Sequence, residues 1–165
     1  MLCYRHQVTI KWEDITFSKE GIEILIPRSK TDQSGEGQAC TIPNSNEFVC
    51  AVSALKLWQE YSGLSEGCVF RGVSKSETIL SHAIKLNQAN LIIKSLAINC
   101  DLSNADQYSA HSLRHGFATE AAKKGAQFKS IMRQGRWRHE GTVLGYIEEG
   151  KRFEENAANT MFLHK

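Results

Sequence analysis

Apolar and polar positions divide the chain into a β-rich first part and a helical second part. The runs "GIEILIPRSK" and "QACTIP" flank "TDQSGEG", whose Gly, Ser and Asp residues are turn formers, so residues 21–43 are predicted to form a β-hairpin with a long loop. From Asn46 onward, Val52, Leu55, Trp58 and Tyr61 recur at helical spacing, and Gly63 stands where a helix ends on a left-handed residue. This predicts a core helix. The segment "SEGCVFRGVSKSE" reads as a loop, and a second helical stretch follows from about Asn87 to Asn99, with most of its Leu and Ile residues assigned to the core. From Ser109 the pattern is helical in short pieces. One helix runs from about His111 to Lys124 with Leu113, Phe117 and Ala121 as its packing stripe, then Gly125, a helix from about Gln127 to Gln134, Gly135, and "RWRHEGTVLGYIEEGKRFEENAANTMF". The sequence has no internal repeat or linker, and the whole predicts an α+β fold, mostly helical, with one small antiparallel sheet.

Length and composition narrow the classes of function. A chain of 165 residues builds one domain with a sizeable core. Residues Leu80 to Leu102 are repeatedly broken by polar side chains, so no membrane span is expected. The start "MLCYRHQ" has no apolar signal region, and the five cysteines are odd in number and lack CxxC spacing. Both features predict a reducing, cytoplasmic setting with no disulfide framework. A net charge of +2 permits a polyanionic partner without requiring one.

Specific residues carry more information than the bulk charge. In "SAHSLRHGFATEAAKKG", His111 and Arg114 are three apart, so on a helix they share a face and can converge on one ligand. They also stand near a helix start, where anions are favoured. An isolated HxxR equally suits a solvated first turn. Trp137 precedes Tyr146 by nine residues in "GRWRHEGTVLGYIEEG", and Lys30 stands where the first hairpin strand enters its turn. Each alone has a plain explanation as a packing, half-buried or solvated residue.

Taken together, "RSKTDQ", "HSLRHGFAT", "GRW" and "GYI", in this order, resemble the tyrosine recombinase (phage integrase) family over nearly the whole chain. The resemblance implies a catalytic site of Lys30, His111, Arg114, Trp137 and Tyr146, with no metal and no cofactor. Tyr146 would attack a DNA phosphorus and form a 3′-phosphotyrosyl link, which stores the bond energy for rejoining. Lys30 would protonate the departing 5′-oxygen, His111 would act as a base or orienting group, and Trp137 would pack and hydrogen-bond at the phosphate. A guanidinium at Arg114 answers the charge concentrated on the pentacoordinate transition state. His115, one residue further round, is expected to be structural. The partner implied is double-stranded DNA. Lys123, Lys124, Lys129, Arg133, Arg136 and Arg138 are the candidate DNA-binding residues, their field diluted by Glu120, Glu140, Glu148 and Glu149. The tail places Phe153, Ala157 and Met161 at four-residue intervals, a narrow apolar stripe expected to act between protomers of a homo-oligomer on DNA, with docking on its own domain as the alternative.

The resemblance implies that residues 1–165 form a catalytic domain truncated at its N-terminus, without the core-binding domain that completes a clamp around DNA, and the chain is expected to be either a fragment of a longer protein or a truncated gene. Aligned on "IKWEDI", the family's first catalytic arginine falls at Cys3 and its glutamate at His6, with Arg5 two positions from the arginine site. That departure supports a second reading, a catalytically impaired DNA-binding remnant of an integrase. A distant third comes from "RHG" at Arg114 to Gly116, the signature of histidine phosphatases, where the tripeptide closes an early β-strand.

Overall fold

The computed structural model describes residues 10–26, 38–46 and 49–152, together with Ala158 and Met161. Two compact units, residues 1–92 and 93–165, divide the chain, with the boundary inside a helix.

In the first unit, β1 (Ile15–Phe17), β2 (Gly21–Ile26) and β3 (Gln38–Pro43) form an antiparallel sheet in that order. The predicted hairpin is therefore present as β2 and β3, with a further strand at its edge, while "TDQSGEG" lies outside the described residues. Alternation decides the buried face. Ile22 pairs with Phe17 on one side and Ile42 on the other, and Ile24 pairs with Ile15, while Glu23 points the opposite way and is exposed. Against this face pack Cys50, Val52 and Leu55 at the start of α1 (Ala51–Ser62). Gly21 is required where β1 turns into β2. Its φ of 154° is outside the range that L side chains favour, and a Cβ there would run into the Ile42 carbonyl.

Gly63 ends α1 in the left-handed conformation, its N–H donating to the Gln59 carbonyl, as predicted. The predicted core stripe of α1 is narrower than expected. Val52 is buried, whereas Tyr61 is exposed, its ring 6.3 Å from that of Trp58. Trp58 instead reaches across and donates Nε1–H to the Val69 carbonyl at 2.7 Å. The "SEGCVFRGVSKSE" stretch, expected to be a loop, contains β4 (Arg71–Val73), which pairs antiparallel with β5 (Ile79–Ala83). The single expected sheet is thus two. Ser74 closes this second hairpin: its N–H donates to the Thr78 carbonyl and its hydroxyl accepts from the Thr78 N–H. A three-residue strand is too short to show its period in the sequence.

Helix α2 (Leu86–Asn99) corrects the core assignment. Leu91, Ile92, Leu96 and Ile98 are exposed, and only Ala97 is buried. Apolar residues cover most of the circumference of this helix, so their spacing does not identify which stripe is covered.

The second unit contains α3 (Ala110–Lys123), α4 (Phe128–Gly135) and α5 (Glu140–Lys151). Its core is Ala118, Ala122, Ile131 and Val143, with Phe128, Met132, Trp137, Tyr146 and Ile147 packed around them. Leu113 and Phe117, expected to pack α3, are exposed instead. The reason is close approach. Small Ala118 and Ala122 form the buried stripe, and Gly150 of α5 lies on Thr119 where a Cβ would collide with its methyl group.

Candidate active site

Helix α3 brings two rows of side chains to the second unit's surface. A capping box opens the helix: Ser109 and Ser112 exchange side-chain and backbone hydrogen bonds, with Ser112 Oγ accepting from the Ser109 N–H at 3.2 Å. His111 and Arg114 follow within the first two turns. His111 and His115, four apart, flank Tyr146, whereas Arg114 and Phe117, three apart, lie along Trp137.

Trp137 reaches its place through the end of α4. Arg136 adopts the left-handed conformation with φ of 55°, and the N–H groups of Arg136 and Trp137 donate to the carbonyls of Arg133 and Met132. This pair of bonds is a Schellman motif, normally built with glycine at the left-handed residue. Gly135, just before it, leaves room for the indole, since a Cβ there would overlap the Trp137 ring. The turn also presents the Arg136 carbonyl to Arg114, whose Nη2 donates to it at 3.3 Å. The Arg114 guanidinium carbon sits 4.1 Å from the Trp137 ring centroid, a cation–π contact, while Phe117 stacks parallel to the same indole at 6.4 Å. A guanidinium held by a ring on one face and a carbonyl at one corner has few orientations left.

Tyr146 is carried by the middle of α5. Its backbone carbonyl accepts from Thr119 Oγ1 at 3.2 Å, which ties α5 to α3 at the position of the tyrosine. The Tyr146 hydroxyl is 3.4 Å from His111 Nε2, and its ring is edge-on to Trp137 at 6.3 Å. His115, read from the sequence as structural, has its ring only 4.1 Å from the Tyr146 ring and its Nε2 3.3 Å from Glu149 Oε2. Its four-residue spacing from His111 puts both histidines on one face of α3, but nothing in the sequence places Tyr146 against that face. Beside these residues opens a groove of about 830 Å³, whose walls include Tyr108, His111, His115, Thr119 and Glu149.

The structure therefore brings together His111, Arg114, Trp137 and Tyr146. Lys30, Cys3, Arg5 and His6 lie outside the described residues. Among the basic residues, Lys123 ends α3 and pairs with Glu120 at 3.0 Å, Lys124 caps that helix, and Arg133 and Arg138 are exposed on either side of the Arg136 turn. Arg114 to Gly116 lies within α3, unlike the strand end that the phosphatase signature occupies. Among the described residues there is no cluster of His, Cys, Asp or Glu suited to a metal ion, and no helix long and apolar enough to cross a membrane.

The phage integrase family matches the chain over residues 6–152. An integrase/recombinase described as a xerD homolog, from Selenomonas ruminantium, is 36% identical over 158 residues, covering 94% of this chain and 46% of that protein. The chain thus spans about half the length of this curated relative. Among solved structures, a XerH site-specific recombinase bound to a palindromic difH substrate in a post-cleavage complex superposes with a TM-score of 0.66 at 20% identity, covering 94% of this chain and 41% of that one. The Tn1549 transposon integrase in complex with transposon right end DNA superposes with a TM-score of 0.56 at 12% identity, covering 92% of this chain and 52% of that one. At such identities the two superpositions are likenesses of fold. The sequence matches go further, and by them the chain belongs to the phage integrase family, the tyrosine recombinases.

Proposed function

We propose that this chain carries the catalytic site of a site-specific recombinase, which cleaves and rejoins duplex DNA through a 3′-phosphotyrosyl link at Tyr146. The observation that carries the reading is that one helix, α3, supplies both His111, 3.4 Å from the Tyr146 hydroxyl of α5, and Arg114, locked against Trp137. His111 Nε2 is placed to take the phenolic proton as the Tyr146 oxygen attacks phosphorus. Arg114 offers fixed donors to the non-bridging oxygens, where charge builds in the pentacoordinate transition state. The 3′-phosphate is then bonded to Tyr146, and the released 5′-oxygen takes a proton, assigned by resemblance to Lys30. Attack by a 5′-hydroxyl reverses these steps without an external energy source.

Duplex DNA is the proposed partner, consistent with the DNA complexes in which the XerH and Tn1549 proteins were solved. Lys123, Lys124, Lys129, Arg133, Arg136 and Arg138 supply the phosphate contacts. The C-terminal tail joins protomers on DNA, with Met161 exposed and Phe153 and Ala157 outside the described residues.

The cysteine at the first-arginine position favours a second reading, binding with impaired cleavage. A nicked duplex that loses its 5′-end on cleavage separates the two. The wild-type chain should accumulate a covalent adduct slowly and Tyr146→Phe none. Cys3→Arg should accelerate trapping by roughly a hundredfold, the usual worth of one preorganised donor. An adduct that persists in Tyr146→Phe rejects the assignment, and a wild-type chain that binds without any adduct supports the second reading.

A further inference from the structure

We propose that Glu149 is a positioning residue for Tyr146, acting through His115. The proposal rests on the reading of Tyr146 as the nucleophile. A tyrosine ring swings about two side-chain torsions, and an attacking oxygen displaced by about 1 Å loses much of its advantage. Among the described residues, the polar contact at the Tyr146 hydroxyl is the 3.4 Å approach of His111, long for a hydrogen bond between such groups. The ring itself is held more closely. His115 lies 4.1 Å from it, against 6.5 Å for His111 and 6.3 Å for Trp137. His115 Nε2 in turn lies 3.3 Å from Oε2 of Glu149, which is three residues after Tyr146 and therefore on the same side of α5, and which the imidazole engages when Nε2 carries a proton.

The contacts form a closed circuit. Tyr146 touches His115, His115 meets Glu149, and Glu149 returns to Tyr146 through one turn of α5, whose backbone Thr119 fixes to α3. Within such a circuit the carboxylate determines how the imidazole tilts, and the imidazole determines where the phenol ring rests. As a source of stability the pair is weak, because the Glu149 side chain is 62% exposed and that of His115 32%. Its removal should therefore move the tyrosine without unfolding the domain.

The test uses the full chain with 13C-labelled tyrosine rings, the Tyr146 signals being identified by their loss in Tyr146→Phe. Without DNA, Glu149→Ala should shift the Tyr146 ring resonances, Glu149→Gln should shift them less because it keeps an acceptor, and Glu149→Ala in a His115→Phe background should shift them no further. With a nicked duplex at saturating concentration, where differences in affinity drop out, adduct formation should slow about threefold in Glu149→Ala and about tenfold in His115→Ala. Tyr146 resonances indifferent to Glu149→Ala, or moved equally in the His115→Phe background, overturn the proposal. Coupled resonances alongside an adduct mapped to a residue other than Tyr146 overturn it differently, through the nucleophile assignment on which it rests.

Discussion

At the scale of single residues, Arg136 carries the most local strain in the candidate site. A non-glycine residue with φ of 55° at the end of α4 costs on the order of 1 kcal/mol. Arg136→Gly should therefore raise stability by up to about 1 kcal/mol in chemical denaturation, while weakening duplex binding if the proposed phosphate contact is made by its side chain. Unchanged stability would show that the turn is unstrained, and unchanged binding that its side chain is not a DNA contact. His111, Arg114, Trp137 and Tyr146 were legible because family-like spacing gives their order, and the fold brings them together. His115 was read as structural, because a histidine beside a motif has an adequate structural explanation. Its contact with Tyr146 depends on the approach of α5 to α3, which the spacing of neither helix reveals.

At the scale of elements, the hairpin of β2 and β3 and the helix ending at Gly63 were legible, since alternation and a left-handed stop are local properties. The second hairpin of β4 and β5 was not, because a three-residue strand has no period to detect. Burial within helices was the least legible property. Periodicity identified Leu113 and Phe117, yet the close crossing at Gly150 selected Ala118 and Ala122. The start of α1 carries its own testable consequence. Hydrogen bonds from the Ser53 side chain, then from backbone groups including those of Ser53 and Ser45, lower the Cys50 thiol from its ordinary 9.0 to about 7. The folded value lies below the unfolded one, so this contribution is fully present above the unfolded range and disappears as pH falls through about 7. Stability of the wild-type chain toward urea should rise from pH 6 to pH 9 relative to Cys50→Ser, in which a neutral hydroxyl caps the helix. Parallel profiles for the two proteins would place the thiolate outside the stability balance.

At the scale of the whole molecule, a net charge of only +2 makes strong nonspecific attraction to DNA unexpected. If about four phosphates are contacted, log affinity should fall against log salt with a slope of roughly −3 to −4. Deleting residues 153–165 should weaken assembly of several protomers on one duplex and leave folding and the single-protomer salt slope unchanged. A salt-insensitive interaction would contradict phosphate-dominated binding, and unaltered assembly would assign the tail to its own protomer. Mass-spectrometric mapping of a trapped protein–DNA adduct identifies the nucleophile. A 3′-phosphate esterified to Tyr146, with a free 5′-hydroxyl on the released strand, is the expected result. Attachment to any other residue, or through a 5′-phosphate, would contradict it.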